Sequence, residues 1–447
     1  MAESRQPDGT VFEILEPRLD GAVLEARYRG VLAGEAIDLV ERIDFREAVA
    51  DGGAEAPTPA LARLLALALS LSYYKATLAD RIRVAFPLSR AERAFLAALA
   101  EHGLGEYAYV NDLEWKLVPE VEAPARAGAP DPEDAARLLE RPPLVAVGGG
   151  KDSIAAIEAI RAIGIAPVLF SVNHRGAIRA SVEASGCEHV RIGRAVDQRL
   201  LEANAAGVPN GHVPVTAMNS LIGLIAAELR GCGPVVFANE ESAEYGNLSW
   251  RGREINHQWS KSLAYEDLLR GTLEAEGLAP DRFFSLLRGF REIDITRAFA
   301  RHDAYFDAFT SCNRAYRMTA GERSMAWCAE CPKCAFVYLL LAPFMRRDRL
   351  AGIFGRDMLA APDQLGQYRD ILGAGDHKPF ECVGEPAEAL EALELVVRDG
   401  QWADSGLVRE LSGLLDGTSA PASGPAPARV DRVPEPYRAA VDAVRRA

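Results

Sequence analysis

Three segments near the start of the chain alternate hydrophobic and polar residues: residues 11–16, 22–29 and 36–45. A period of two is typical of strands with one buried face, so this pattern predicts strands joined by turns. Two segments without Gly or Pro follow, and their apolar spacing predicts helices over residues 61–73 and 90–102. These elements together predict an α+β domain over residues 1–140.

The pattern changes at residue 144, where short apolar runs begin to alternate with helical segments. The runs predict strands at residues 144–147, 167–172, 189–192 and 235–238. The segments between them predict helices at residues 152–163, 179–185 and 216–229. Strands that alternate with helices of this length are typical of parallel βαβ units. The expected fold class is therefore α/β, with a doubly wound parallel sheet over residues 141–262.

The chain becomes less regular in its last third, where we expect a mainly helical region over residues 263–417. The longest apolar run, residues 335–344, is about half the length of a membrane-spanning helix and therefore predicts a buried helix. A stretch rich in Pro, Ala and Ser follows residue 418, and this composition predicts a flexible tail over residues 418–447.

The composition is that of a cytoplasmic globular protein. Hydrophobic residues make up 49% of the chain and charged residues 26%, which is an ordinary balance for a protein with a sizeable core. The net charge of −14 argues against a nucleic-acid partner, although it allows a local basic groove for an anionic substrate. The first residues lack the apolar segment of a signal peptide. The longest apolar run is too short to span a membrane, so we expect no membrane partner. The oligomeric state stays open.

A glycine-rich segment, residues 148–153, joins the strand at 144–147 to the following helix. Its sequence is Gly148-Gly149-Gly150-Lys151-Asp152-Ser153. Glycines let the backbone turn sharply towards an anion, and the N-terminus of a helix favours phosphate. We expect Lys151 and Ser153 to contact phosphate and Asp152 to hold Mg²⁺. The alternative is a tight turn without a ligand.

The glycine segment resembles the PP-loop of the ATP pyrophosphatase superfamily, Ser-Gly-Gly-x-Asp-Ser, with Gly148 in place of the first Ser. The resemblance implies that the protein binds ATP and splits it into AMP and pyrophosphate. It also implies that the backbone after the second strand, which includes Ser171 and Asn173, recognises adenine. A simple strand end is the alternative at that position.

Polar clusters follow the strand at residues 235–238. Glu240 and Glu241 come directly after it, and ligands of doubly wound sheets lie at the carboxyl ends of strands. Two adjacent carboxylates there suit Mg²⁺ binding or proton transfer, and a solvated acidic loop is the alternative. Further on, His257 could carry a proton, and Lys261 could neutralise pyrophosphate or act as a base. A structural role is the alternative for both.

Cysteines are spaced Cys-x₂-Cys-x₂-Cys at Cys328, Cys331 and Cys334, with Cys312 upstream. Four thiolates could close a tetrahedral Zn²⁺ site, and an iron–sulfur cluster or buried reduced thiols are the alternatives. The spacing is similar to that of the zinc site of 7-cyano-7-deazaguanine synthases, which are PP-loop enzymes, although the gap after Cys312 is longer.

Four motifs together resemble one family, the UDP-N-acetylmuramoyl-L-alanyl-L-glutamate epimerases of some bacteria: residues 148–153, 239–243, 255–262 and 327–334. The resemblance implies an isomerase that uses ATP and Mg²⁺ to invert the terminal L-glutamate of UDP-MurNAc-L-Ala-L-Glu through an acyl-adenylate. This reaction belongs to peptidoglycan precursor synthesis. The resemblance leaves open which residues transfer the protons; the candidates are Glu240, Glu241, His257 and Lys261.

Two other functions stay open at this level. One is a different PP-loop enzyme that modifies a nucleobase or tRNA, or that joins an amine to a carboxylate. The four cysteines favour it, whereas the acidic net charge argues against a tRNA substrate. The other is an ATP-sensing module without catalysis, which only the unusual Gly148 supports.

Overall fold

Two compact units interleave along the chain in the computed structural model. Unit 1 contains residues 1–141, 190–235 and 250–283, and unit 2 contains residues 142–189, 236–249 and 284–447. The structure describes residues 10–50, 57–77, 79–127, 133–173, 176–312, 314, 327–374, 383–415 and 432–447.

The strands in the described residues are β1 (Val11–Asp20), β2 (Val23–Leu32), β3 (Glu35–Asp44), β4 (Arg81–Val84), β5 (Glu120–Glu122), β6 (Leu144–Ala146), β7 (Val168–Val172), β8 (His189–Ala195), β9 (Val235–Phe237), β10 (Leu248–Trp250), β11 (Arg253–Ile255) and β12 (Phe283–Ser285). The α-helices there are α1 (Pro59–Tyr74), α2 (Arg90–Gly103), α3 (Gly105–Asn111), α4 (Ala135–Leu139), α5 (Lys151–Ala162), α6 (Gly176–Ser185), α7 (Gln198–Ala205), α8 (Val215–Arg230), α9 (Leu263–Ala275), α10 (Glu292–Phe299), α11 (Pro332–Leu341), α12 (Arg347–Phe354), α13 (Leu365–Ile371), α14 (Pro386–Asp399), α15 (Gly406–Ser412) and α16 (Arg438–Arg445).

The sheet of unit 1 mixes parallel and antiparallel pairs, with strands in the order β8-β3-β2-β1-β4-β5. Strands β1, β2 and β3 run antiparallel, and Gly21 (φ +57°) supplies the left-handed conformation in the first turn. Strand β4 pairs in parallel with β1 and β5. Strand β8 pairs antiparallel with β3, with Ala195 opposite Arg42.

Helix α1 forms the centre of unit 1. It is apolar on nearly all sides and is buried along almost its whole length, so it needs cover from several elements. Strands β1 and β2 and helix α8 provide that cover. The Tyr28 hydroxyl on β2 donates a hydrogen bond to the Ala66 carbonyl at 2.9 Å, which ties the sheet to the helix.

Unit 2 contains strands in the order β12-β9-β6-β7, and β6 pairs in parallel with β7, with Leu144 opposite Val168. Helix α11 is buried from Lys333 to Leu341 and packs against α10, α13 and α14. This helix is the buried segment that the apolar run predicts. Among the described residues, no helix combines the length and apolarity needed to cross a membrane.

Each strand and helix predicted from the pattern overlaps an observed one, and the mixed α/β class is confirmed. The antiparallel pairing of β8 with β3 was not expected, because periodicity does not show which strands are neighbours. The last part of the predicted flexible tail is helical: α16 buries Val441 and Val444 and packs on α5 and α10. Residues 416–431 of that tail lie outside the described residues.

Candidate active site

A glycine turn joins β6 to α5 in unit 2. Gly149 has φ +80°, a conformation that residues with a side chain rarely adopt. A Cβ atom on Gly149 would lie 2.9 Å from the backbone carbon of Ala177, so the position excludes any side chain. Gly148 is exposed, and no atom lies within 4 Å of the place where its Cβ would be. The glycine turn therefore lies close to the backbone of the first turn of α6 at Gly149 and is open at Gly148.

The first turn of α5 begins at Gly150 and has no side-chain cap among the described residues. The Ser153 hydroxyl donates a hydrogen bond to the Gly150 carbonyl at 3.0 Å and accepts one from the Gly148 amide at 3.4 Å. Ser153 therefore closes the turn on itself. The side chain of Asp152 is 30% exposed, which leaves its carboxylate within reach of a ligand.

Lys151 is buried and lies between two carboxylates. Its Nζ atom contacts Asp152, its neighbour in sequence, and Glu292 at the start of α10. Burial alone would lower the pKa of this ammonium group, but the negative charges of Asp152 and Glu292 outweigh burial and raise the pKa well above its usual value. Lys151 is therefore a permanent positive charge rather than a proton acceptor.

Glu292 is also close to two further charged residues that the sequence patterns did not single out. Lys333 places its Nζ atom 3.8 Å from Glu292 Oε1. Burial and then the charge of Glu292 raise the pKa of Glu388 to about 8, so that its carboxyl group keeps a proton near neutral pH. The Oε1 atom of Glu388 is buried and has no hydrogen-bond partner among the described residues. A buried charged network therefore supports the glycine turn from one side.

The acidic pair Glu240 and Glu241 connects to the same network through the segment before α10. The Glu241 amide donates a hydrogen bond to the Phe290 carbonyl at 3.0 Å, two residues before Glu292. The buried side chain of Arg288 donates to the Glu240 carbonyl at 3.3 Å and to Glu244 at 3.1 Å. Residues 288–292 therefore contact both the acidic pair and the lysine of the glycine turn.

The two carboxylates of this pair have different surroundings. Glu240 is buried, and its Oε1 atom accepts a hydrogen bond from the Ser242 hydroxyl at 3.2 Å. Glu241 is half-buried, and its Oε1 atom accepts a hydrogen bond from the Tyr245 hydroxyl at 3.4 Å. Adjacent residues at a strand end thus face in different directions, so their roles need not be the same.

The predicted adenine-binding residues lie at the end of β7. Ser171 is buried, and its hydroxyl lies 3.0 Å from His189 Nε2. Asn173 has φ +58°, a left-handed conformation that Asn tolerates better than most residues. The backbone therefore turns sharply where the strand ends, as it does after β6.

The four predicted cysteines converge in unit 2. The sulfur atoms of Cys312, Cys328, Cys331 and Cys334 all lie within 4.8 Å of one another. Three of the separations are 3.4 Å (Cys331 to Cys334), 3.6 Å (Cys328 to Cys334) and 4.0 Å (Cys312 to Cys331). Ala329, between the first two cysteines of the triplet, has φ +52°, which is costly for alanine and indicates a turn held by its surroundings.

Both cysteine-bearing segments contact the glycine turn or its partners. The Thr310 amide donates a hydrogen bond to the Gly149 carbonyl at 2.9 Å, and its side chain accepts one from the Cys312 amide at 3.2 Å. Lys333, which lies between Cys331 and Cys334, is the residue that approaches Glu292. An ion held by the four sulfurs would therefore fix two segments that border the turn.

His257 and Lys261 belong to unit 1, whereas the residues described so far belong to unit 2. The Nδ1 atom of His257 is hydrogen-bonded to the Glu106 carboxylate, and its ring lies 4.4 Å from the ring of His212. Lys261 donates a hydrogen bond to Gln258 Oε1 at 3.2 Å. Neither Glu106 nor His212 stands out in the sequence, because each is a single residue in an unremarkable segment.

This fold and site define a mixed α/β protein with a glycine turn at a helix N-terminus and a four-cysteine cluster. Residues 3–286 match the family model of the MurL N-terminal domain, and residues 308–424 match that of the MurL C-terminal domain. The chain belongs to the MurL family.

Three curated relatives carry the name UDP-N-acetyl-alpha-D-muramoyl-L-alanyl-L-glutamate epimerase. The chain is 45% identical over 382 residues to the protein of Micromonospora sp., which covers 85% of both chains. It is 46% identical to that of Salinispora tropica (79% of this chain, 76% of the relative) and 41% identical to that of Xanthomonas oryzae pv. oryzae (80% and 79%). No solved structure matches the chain. The resemblance inferred from the four motifs is confirmed at the level of the family.

Proposed function

We propose that this protein inverts the terminal L-glutamate of UDP-MurNAc-L-Ala-L-Glu to D-glutamate, with ATP as the activating substrate, in the synthesis of peptidoglycan precursors. The names of its relatives, which align over most of their length, support the epimerisation and the substrate. The glycine turn between β6 and α5 is the observation that supports the use of ATP, as in a PP-loop fold.

The chemistry of the substrate explains why activation is needed. The glutamate nitrogen is part of an amide, so it cannot form a Schiff base with a carbonyl cofactor. A free carboxylate next to the α-carbon makes the C–H group a very weak acid. Attack of this carboxylate on the α-phosphate of ATP yields an acyl-adenylate and pyrophosphate, and the neutral acyl group makes the proton removable. Return of a proton to the opposite face inverts the centre, and hydrolysis releases AMP.

The residues of the glycine turn fit a nucleoside triphosphate. Gly149 lets the backbone come close to α6, Gly148 is open, and the uncapped first turn of α5 favours an anion. The partly exposed Asp152 has the oxygen ligands that Mg²⁺ prefers, and the ion would offset phosphate charge when bound. Lys151 keeps its charge and holds Asp152 and Glu292 in place beside the phosphates.

We also propose that the four cysteines hold a structural Zn²⁺ ion. Four thiol ligands with mutual distances near 4 Å match a closed tetrahedral site, which is typical of structural rather than catalytic zinc. When bound, the ion supplies a crosslink between residues 310–312 and 328–334. The chain itself uses these two segments to contact Gly149 and Glu292.

Incubation of the protein with UDP-MurNAc-L-Ala-L-Glu, ATP and Mg²⁺ in D₂O tests the proposed reaction. We expect deuterium at the glutamate α-carbon, D-glutamate after acid hydrolysis, and AMP with pyrophosphate as co-products. The same mixture without ATP is the control and should show no exchange. Formation of ADP, or inversion without deuterium uptake, would contradict the scheme.

A further inference from the structure

Three side chains with potential metal ligands converge within unit 1. Glu106 belongs to α3, His212 to the segment between α7 and α8, and His257 to the loop between β11 and α9. One ligand atom of each residue, a carboxylate oxygen or an imidazole nitrogen, lies within 4.8 Å of those of the other two. The fold therefore collects two imidazoles and one carboxylate from three segments that are far apart in the sequence.

The contacts among these three side chains are only partly explained by hydrogen bonding. The Nδ1 atom of His257 is hydrogen-bonded to the Glu106 carboxylate. The His212 ring lies 4.4 Å from the His257 ring, with the planes inclined at 47° rather than stacked. The ring nitrogens of His212 make no hydrogen bond within the part of the chain that the structure describes. A shared ligand would explain why a second imidazole lies at this place.

The segments that carry Glu106 and His212 are tied to each other by other residues. The Lys75 ammonium group, at the end of α1, donates a hydrogen bond to Asn210 Oδ1 at 2.6 Å, two residues before His212. The side chain of Asn111, the last residue of α3, donates to the Asn210 carbonyl at 3.1 Å. These contacts fix the backbone of both segments without the use of either ligand side chain.

The loop that carries His257 is fixed in a similar way. The Asn256 side chain accepts a hydrogen bond from the Gln258 amide at 2.7 Å, which closes a tight turn around His257. Gly105, the first residue of α3, lies so close to β11 that a Cβ atom on it would contact Ile255 Cδ1 at 3.4 Å. The three ligand segments therefore hold their positions through their own supporting contacts, as a preformed metal site requires.

The types of ligand select the class of metal. Mg²⁺ and Ca²⁺ prefer oxygen ligands throughout, whereas two imidazoles and a carboxylate suit Zn²⁺ and neighbouring transition metals. Ligand atoms about 2.0–2.2 Å from a tetrahedral zinc ion lie about 3.3–3.6 Å from one another. Modest rotations of the side chains bring atoms that lie within 4.8 Å to that spacing. Three protein ligands leave a fourth position for water.

Two lysines oppose a cation at this place but do not exclude it. The charges of Lys75 and Lys261 both act on His212. Both ammonium groups are engaged elsewhere, since Lys75 donates to Asn210 and Lys261 donates to Gln258 Oε1 at 3.2 Å. Zinc binds to imidazole through the nitrogen lone pair, and three neutral imidazoles without any carboxylate suffice in known zinc sites. The lysine charges are therefore expected to weaken the site rather than to abolish it.

We propose that Glu106, His212 and His257 form a divalent transition-metal site in unit 1, suited to Zn²⁺ and composed of different residues from the four-cysteine cluster. On binding, the ion replaces the hydrogen between His257 Nδ1 and the Glu106 carboxylate, and that proton leaves to solvent. The metal accepts lone pairs from two nitrogens and one oxygen, and its oxidation state does not change. The inference concerns unit 1 alone and does not depend on the proposed epimerisation.

Elemental analysis of the full-length protein tests the site. The protein is loaded with Zn²⁺, and gel filtration then removes the excess. We expect about two ions per chain in wild type, one at the cysteines and one at the site in unit 1. H212Q and H257Q should each keep about one ion, since loss of a direct ligand should weaken binding by more than about 100-fold. C334S should also keep about one, because its loss affects the other site.

Matched variants distinguish loss of a ligand from a general effect of substitution. E106Q is compared with E101Q, which removes a carboxylate that pairs with Arg253 in the same unit. H212Q and H257Q are compared with H102Q, which changes a histidine that packs on Trp259 outside the cluster. E101Q and H102Q should keep two ions, whereas E106Q should lose one, and circular dichroism checks that each variant is folded.

Titration of wild-type protein with Co²⁺ gives a measurement that needs no substitution. Thiolate ligands produce an intense sulfur-to-cobalt charge-transfer band, whereas nitrogen and oxygen ligands produce only weaker visible bands. We expect one equivalent of Co²⁺ to give the charge-transfer band and a further equivalent to add visible absorption without it. This spectrum decides the question even where H212Q and H257Q do not fold.

Two results would overturn the inference. One is a wild-type protein that takes up a single ion, with the whole cobalt spectrum accounted for by thiolate ligands. The other is a second ion that E106Q, H212Q and H257Q all retain as folded proteins, which would place it at an adventitious surface site.

Discussion

Lys151, the first residue of the helix after the glycine turn, forms a buried ion pair with Glu292, 141 residues further along the chain. The side chains are 2% and 3% exposed. A buried ion pair contributes little more to folding stability than an apolar contact of similar size. Removal of one partner is nevertheless costly, because the remaining buried charge loses part of its compensation. The pair is therefore expected to be sensitive to single substitutions.

The substitution E292Q should destabilise unit 2 by about 1–3 kcal/mol, because the buried Lys151 charge keeps only Asp152 as a carboxylate partner. Urea unfolding measures this change. The matched control is E391Q, which breaks the more exposed contact of Arg291 with Glu391 at 2.7 Å and should cost no more than about 1 kcal/mol. Equal losses of stability in E292Q and E391Q would show that burial does not determine the cost of removing the Glu292 carboxylate.

The substitution G149A should cost more than G164A, although both glycines have nearly the same φ, +80° and +81°. Each alanine pays about 1 kcal/mol for the left-handed conformation. At Gly149 the new Cβ also meets the Ala177 backbone at 2.9 Å, whereas nothing lies within 4 Å at Gly164. We expect an additional cost of about 1–3 kcal/mol and weaker ATP binding in G149A alone, measured by unfolding and by calorimetric titration. Similar ATP affinities in the two variants would contradict the role of the turn.

Glu388 should make stability depend on pH. Its pKa in the folded protein is about 8, above the ordinary value of 4.5, so the folded state binds more protons than the unfolded state between these two values. The free energy of unfolding should therefore fall as the pH rises through this window. In E388Q the fall should be smaller, with a difference from wild type on the order of 1–3 kcal/mol between pH 5 and pH 9. Unfolding at several pH values measures it, and E410Q on the exposed face of α15 should keep the wild-type slope.

The four-cysteine cluster predicts about one zinc ion per chain, detectable by elemental analysis. The substitution C334S should abolish the ion and destabilise unit 2 by several kcal/mol, because the energy of metal binding contributes to folding. The control C187S changes a cysteine outside the cluster and should keep the ion. We further expect C334S to bind ATP more weakly, since Thr310 and Lys333 are positioned by the cluster. Full zinc content in C334S would exclude this site.

The elements of this protein were largely predictable from local patterns. Alternation and helical spacing located β1 to β3, α1, α2 and the strands around the glycine turn, because each pattern reflects one buried face of one element. The neighbours of these elements were not predictable in the same way. Strand β8 illustrates this: its sequence predicts a strand, but only the folded chain pairs it with β3.

The residues of the candidate site also fall into two groups, those that the sequence pattern predicted and those that only the folded structure identified. The glycine turn and the cysteine triplet consist of consecutive or regularly spaced residues, so the sequence by itself determined where they lie in the chain. Glu292, Glu388, Lys333, Glu106 and His212 acquired their significance only in the tertiary structure. A charge or a ring has no distinctive local pattern, and its partner is selected by which distant segments the fold brings within hydrogen-bonding distance.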